Sequence, residues 1–397
     1  MASPTKKTNP NVTHSTIIDG TNPNVTHSTI IDGTNPNIID SLDFGLKIEI
    51  LSRLPVKLLL QLTCICKFLN SIIFNPNFVR KHLSLSTTRR LHLASYNSLF
   101  RLNSYPLQSL FTHTITSFSQ LPFPFYINNV ENFYYIACSC DGILCLADHY
   151  RYTVVLWNPS IRKFKKLPPF ECPKYGRKLH LNHGFGYDPV SEHYKVVVLY
   201  HRHSTSSGIH EDKTTVKVLT LGTHCWRTIP KFPFDAINID GAGKCVSHTV
   251  NWLAYTETYR VGRQPFIVSL DLAKESFQKI FLPDHERRDG CNITLLVWKD
   301  CLGLISDHDV WVMKTYGVQE SWIKLFSVSY LEDPEMSSIL TKALYIFEDD
   351  KLLLELQEEK RRRKLIVYNP KNGSFKVTKF VRLPEVCVES LLSPDII

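Results

Sequence analysis

Six histidines fall close together in the chain, His180, His183, His193, His201, His203 and His210, at HxxH and HxH spacings that can hold a transition metal. Metal binding needs ligands held in place, and the segment HRHSTSSGIH at 201–210 is polar and Ser-rich, the composition of a mobile loop. These histidines are read as solvated or as contacts for a partner. Cysteine offers no stronger case. The pairs Cys64/Cys66 and Cys138/Cys140 lack a second pair to complete a zinc site, and no CxxC occurs. The chain also lacks G-x-S-x-G, a P-loop, H-E-x-x-H and the dinucleotide-binding glycine pattern. Neither a catalytic residue nor a cofactor or metal is expected, which leaves binding as the chemistry on offer.

Two kinds of element must position the binding residues. Between Gly45 and Leu83 apolar residues recur at helical spacing, Leu46, Ile50 and Leu54 on one stripe and Leu58, Leu62 and Ile65 on a second. Pro55 lacks a backbone donor and biases Leu54 away from helical dihedrals, so the first helix is predicted to stop near Arg53 and a second to start just after it. Asn75 followed by Pro76 is an N-cap and first-position pair, predicting a last helix over 77–83. So small a unit has a marginal core, and Leu58-Leu59-Leu60 is apolar on adjacent faces, which calls for a partner surface.

From about residue 92 short runs rich in Val, Ile, Tyr, Phe and Trp alternate with Gly, Pro, Asn and Asp, the pattern of antiparallel strands. A diverged repeat runs through them. Trp157 precedes Phe164 by seven residues, as Leu219 does Trp226, Leu270 does Phe277 and Tyr368 does Phe375, while Trp311 and Trp322 are separated by an inserted loop. Each unit reads as strand, turn and strand, with a further apolar run ahead of it. Five units of four strands at roughly fifty residues are the blades of a kelch-type propeller. Residues 90–118 supply a sixth blade or close the ring with a strand near 380–383. Trp157, Trp226, Trp252 and Trp322 fall at repeat positions or strand ends and are read as core. Gly184-Phe185-Gly186 is read as a turn that starts a strand.

The chain has 397 residues, 43% hydrophobic and 11% aromatic, enough for two or three folded domains. No run of eighteen apolar residues occurs, and MASPTKKTNP lacks the apolar segment of a secretory signal, so a soluble intracellular protein of the cytoplasm, the nucleus or both is expected. Eleven cysteines, an odd number, are then reduced and the sequons at Asn11, Asn24 and Asn292 unmodified. The thirteen-residue unit TNPNVTHSTIIDG at 8–20 repeats unchanged at 21–33 and begins again at 34. Each copy has one apolar pair, so residues 1–39 are read as a disordered tail. The net charge of +9 is spread along the chain. The one basic cluster, Lys360 to Lys364, lies between apolar runs and is read as a hairpin tip, not as a nucleic-acid patch.

EILSRLPVK at 49–57, CICK at 64–67 and NPNFVRKHL at 75–83 resemble the F-box of plant F-box proteins. The copy departs from the family pattern at Asp43 and Gly45, where Leu-Pro and an acidic residue are usual, and at Phe68-Leu69, where Ser-Trp is usual. SCDGILCL, LWNPSIRKFKKLP, GFGYDP and SLDLAKESFQKIFLP resemble the F-box-associated, kelch-like region of the same family, over about 95–390. The resemblance implies a mainly β fold with a small N-terminal all-α motif: a tail at 1–39, an F-box at 40–84, a connector at 85–94 and a propeller of about six blades at 95–390. It further implies a non-catalytic substrate-recognition subunit of an SCF-type ubiquitin ligase. Leu46, Ile50, Leu54, Pro55 and Leu59 would face a Skp-type linker, itself held by a cullin, and the propeller loops would hold an unidentified target protein; neither membrane nor nucleic acid is an expected partner. Two alternatives stay open: a propeller interaction module whose F-box no longer docks, and a propeller enzyme or sugar binder with His, Tyr and Arg converging on the axis.

Overall fold

The computed structural model describes residues 43–97, 99–111, 119–121, 134–148, 151–171, 180–201, 214–229, 232–234, 238–258, 262–283, 292–328, 339–357, 363–380 and 384–395. The repeat tail, His203, His210, the sequons at Asn11 and Asn24 and most of the basic cluster lie outside them.

Among the described residues four short helices come first: α1 (Phe44–Leu51), α2 (Val56–Leu62), α3 (Lys67–Ile73) and α4 (Pro76–Leu85). Sequence punctuation explains each start. The Asp43 carboxylate accepts the Gly45 N–H at 2.8 Å, so the two departures from the family pattern together form the cap of α1. Pro55, at φ −59° and ψ 146°, separates α1 from α2. Cys66 caps α3 through its sulfur, and the Asn75 side chain accepts the Asn77 N–H at 2.9 Å with Pro76 in the first helical position.

The remainder is a six-bladed propeller, each blade a four-stranded antiparallel sheet. The innermost strands are β4 (Tyr134–Cys140), β8 (His180–Asp188), β12 (Asn238–Val246), β16 (Ile293–Trp298), β20 (Ile339–Ile346) and β24 (Pro384–Val388). Five blades are consecutive in sequence. The sixth takes β24 from the C-terminus and β1 (Arg89–Asn97), β2 (Leu99–Pro106) and β3 (Ser119–Leu121) from the start of the domain. Residues 89–121 therefore do both jobs left open by the sequence, supplying the sixth blade and closing the ring. The closing strand is Pro384–Val388, not 380–383. Because Arg89 to Leu93 pair with Val388 to Pro384, most of the segment read as a connector at 85–94 is β-ladder, and only residues 86–88 link α4 to β1.

The aromatic repeat is the register of the outer hairpins, with Trp157 opposite Phe164, Leu270 opposite Phe277 and Tyr368 opposite Phe375. In the fourth of the consecutive blades Trp322 lies opposite Met313, and Trp311 opposite Lys324, because residues 314–321 make a wider turn than the repeat suggests. Trp157, Trp252 and Trp322 are buried, and half-buried Trp226 donates its indole N–H to the Pro168 carbonyl at 2.8 Å. Gly184 and Gly186 lie inside β8 rather than in a turn. A Cβ at 184 would come 2.5 Å from Val250 and 2.6 Å from Trp252, and one at 186 would come 2.7 Å from the Cys245 sulfur, so the inner strands approach too closely for any side chain.

Candidate binding surfaces on the two faces of the propeller

The helices from Ile48 onward do not form a separate module. Leu51, Val56, Leu59, Ile72, Ile73, Phe78 and Val79 share one buried apolar cluster with Cys138, Ile143, Tyr194 and Leu221 of the first two blades that follow β3. Leu391 and Leu392, beyond the last strand, belong to the same cluster. This segment is tied down through backbone groups that would otherwise be unsatisfied: the Asn158 amide donates to the carbonyls of Ser390 at 3.0 Å and Leu392 at 2.8 Å. The Ser390 hydroxyl donates to the Asp141 carbonyl at 2.8 Å. Gly142, at φ +85°, leaves room for Ser390; a Cβ there would lie 2.2 Å from its Oγ. Ser86 bonds the Glu389 carbonyl at 2.9 Å and Arg80 reaches Glu192 at 3.3 Å, adding polar ties to the apolar one. None of this was read from the sequence, where the residues after 390 carried no signal beyond a Leu-Leu pair.

Of the five residues expected to face a linker, Leu46 and Ile50 share a face of α1, four residues apart, and are 53% and 51% exposed. Pro55 is also exposed, and Leu54 is half-buried against the cluster. Leu59 corrects the expectation: it is fully buried, because α2 turns that side toward the propeller, and Leu58 takes the exposed position. Ile65, at 69%, read in the sequence as part of the second apolar stripe but not as a docking residue, and Phe68, at 51%, noted there only as a departure from the family pattern, are exposed apolar residues as well. Glu49 fastens α1 to α4, accepting from Arg53 at 2.6 Å and Lys81 at 2.6 Å. The Lys81 hydrogen bond, with Arg53, holds the Glu49 carboxyl below its ordinary pKa.

At the other end of the inner strands the axis opens into a cavity of about 520 Å³, lined by the first residues of β4, β8, β12 and β16 together with Lys342 and Arg363. Tyr135, His183 and Arg363 do meet here. Their polar groups are nonetheless engaged with protein: the Tyr135 hydroxyl and His183 Nδ1 are 3.1 Å apart, and Arg363 pairs with buried Glu355 at 3.2 Å. Lys342 pairs with Glu385 at 2.5 Å, and Ser139 donates to the same carboxylate at 2.8 Å. Burial opposes ionisation of Glu385, but Lys342 and Lys244 overcome it and bring its pKa down to about 2. Among the described residues no group of three or more His, Cys, Asp or Glu is arranged to hold a metal, and His193 is instead an exposed residue bonded to the Ser191 carbonyl. The cysteines among the described residues are free thiols, and no helix among them is long and apolar enough to cross a membrane.

A closed six-bladed propeller, with a short helical motif packed on one face and a polar cavity at the other, defines a class of binding scaffold. Residues 92–390 match the F-box associated beta propeller domain, and the chain belongs to that family, as an F-box protein of the F-box-associated type found in plants. An F-box/kelch-repeat protein of Arabidopsis thaliana is 27% identical over 342 residues, covering 82% of this chain and 87% of the relative. An F-box protein of the same plant is 28% identical over 379 residues, covering 87% and 89%. The Arabidopsis thaliana F-box protein CPR1 is 28% identical over 342 residues, covering 79% of each.

Proposed function

We propose that the chain is a substrate receptor of an SCF-type ubiquitin ligase: the exposed side of its helices docks a Skp-type linker, through which it reaches a cullin, and the loop-bearing face of the propeller holds the target protein. The observation that carries this reading is the two-sidedness of so small a helical unit. Its inner side is spent on the propeller, yet Leu46, Ile50, Leu58, Ile65 and Phe68 remain about half exposed or more. Solvated apolar residues at that density in forty residues are the mark of a protein interface. The chain itself does no covalent chemistry. It acts by raising the effective concentration of the target beside the ubiquitin-charged enzyme, turning a bimolecular encounter into an intramolecular one. The shared cluster from Leu51 to Leu392 supports a rigid tether, so the target would be presented at a fixed distance and angle.

The test is capture of a purified Skp-type linker by the full chain, compared with Ile50→Asp and Phe68→Asp. Each places a charge where an apolar contact is proposed, at a cost of several kcal/mol of binding. Wild type should bind at micromolar concentration or better, and both variants should lose capture while keeping the wild-type melting point. Absence of capture by wild type would favour the reading in which the helices are only a structural part of an interaction module.

A further inference from the structure

We propose that the axial cavity is a binding site for a small anion, a carboxylate or phosphate compound, with Lys244 as its ion-pair partner. The inference does not depend on whether the helices dock a linker. Three cations face the cavity. Lys342 is paired with Glu385 and Arg363 with Glu355, whereas the Lys244 ammonium makes no hydrogen bond or ion pair among the described residues, its carbonyl alone accepting from the Asn251 amide at 3.1 Å. The carboxylate in the lining, Asp240, lies exposed at the rim and forms no ion pair with Lys244. With Glu385 hydrogen-bonded to Lys342, the Lys244 ammonium is left with only a longer-range attraction to that carboxylate and no direct partner, surrounded by protein but reached from the cavity. Burial pushes the Lys244 pKa below its ordinary value, the nearby Glu385 charge opposing that and Lys342 adding to it. An unpaired ammonium in such surroundings is costly, and an anion relieves the cost.

The backbone around Lys244 is built to hold it. The ladder between β12 and the next strand shifts register between Asp240 and Lys244, a bulge formed by Gly241, Ala242 and Gly243. Gly241, at φ +75°, makes the turn, and Gly243 lies so close to buried Trp252 that a Cβ would come 2.8 Å from its ring. The bulge therefore rests on a rigid indole platform. Around it Tyr135, Asn182, His183 and Thr294 make a polar wall fixed by their own hydrogen bonds to protein, and about 520 Å³ is the size of a metabolite site rather than of one or two waters.

The experiment is calorimetric titration of the full chain with citrate, with inorganic phosphate and with glucose, at matched ionic strength. Saturable binding of citrate, of phosphate or of both at one site per chain is expected, at least tenfold weaker in Lys244→Met and unchanged in Lys371→Met, an exposed turn residue. Binding by citrate only would assign a carboxylate ligand, and by phosphate only a phosphate ester. Saturable binding of neither anion, equal binding by Lys244→Met, or equal binding of glucose would overturn the proposal. Ligand-free Lys244→Met should melt no lower than wild type, since it removes an unpaired charge; a lower melting point would make Lys244 a structural partner of Glu385 and also overturn it. Should Lys244→Met fail to fold because of its shape, Lys244→Gln gives the same reading by the same two measurements.

Discussion

The two faces of the propeller use the same strands in opposite ways. On the helix-bearing face three of the inner hairpins close in two residues, Asp141-Gly142, Ser247-His248 and Lys299-Asp300, all with φ between 46° and 85°. Such turns fit the twist of a hairpin and leave a flat floor, on which the helices and the C-terminal segment settle with their backbone groups satisfied. At the opposite face lie the first residues of inner strands, Tyr135, Asn182 and Thr294 among them. There the inner strands enclose charge: Lys244, Lys342 and Glu385 stand where the other face has leucines. One face is thus closed by packing and the other left open with its electrostatics unfinished. Length and sequence can vary on the open face without disturbing the closed one, as the proposed receptor role would require.

The comparison can be broken by mutation. The largest effect is expected at Trp157→Ala, in the interface between blades and away from both faces, where loss of a fully buried aromatic should cost about 3 to 5 kcal/mol in chemical unfolding. Leu59→Ala comes next, at about 2 to 5 kcal/mol. Its importance lies in how the loss is distributed. If helices and propeller form one cooperative unit, the unfolding curves followed by a helix probe and a propeller probe must shift together; separate transitions would mean that the shared cluster is not a cooperative core.

The next effect concerns acid. Burial, reinforced by the charge of Arg90 and opposed by Glu385, brings His92 down to about 3 from the ordinary 6.5 of histidine. The folded state therefore binds fewer protons than the unfolded one below pH 6.5, and stability falls as the pH drops through that range. Between pH 7 and 5 the loss is about 2 kcal/mol, 1.4 for each unit below 6.5. Glu385 and Asp188, each lowered to about 2, add their losses only below about pH 4.5, where their unfolded forms begin to protonate. His92→Gln should flatten the melting-point profile between pH 7 and 5. A profile as steep as that of wild type would mean that other groups cause it.

How much of this was legible in the sequence follows the range of the interactions. Helix starts at Asn75-Pro76 and breaks at Pro55 are local, and the outer-hairpin register was visible because Trp157, Leu270 and Tyr368 face partners only seven residues away. The long-range features were hidden. Nothing near Asn158 announces that its amide holds Ser390 and Leu392, more than two hundred residues later. Leu59 was read as outward because a run of three leucines has no inner side until something packs on it. The glycines of β8 looked like a turn because the groups that exclude their side chains, the Trp252 indole at Gly184 and the Cys245 sulfur at Gly186, come from the next blade. Leu54, expected from the sequence to face a linker, packs on the shared cluster, so Leu54→Asp would damage folding together with docking.

The smallest change in stability, and the sharpest test of the two-sided helices, is Phe68→Ala. Phe68 is 51% exposed on the helix that buries Ile72 and Ile73 at 7% and 0%. Substitution of a solvated side chain away from caps and cores usually changes stability by no more than about 0.5 kcal/mol, so the unfolding midpoint should barely move. Ile73→Ala, five residues along the same helix, should cost about 2 to 5 kcal/mol. Linker capture should respond in the reverse order, weakened by Phe68→Ala through lost apolar contact and spared by Ile73→Ala at temperatures where that variant stays folded. A large loss of stability from Phe68→Ala would mean that the residue is covered in the isolated chain, for instance by a second copy, and a monomeric mass in solution would be the check on that. If stability and capture moved together in both variants, α3 would have one functional side instead of two, and its exposed apolar residues would need another explanation.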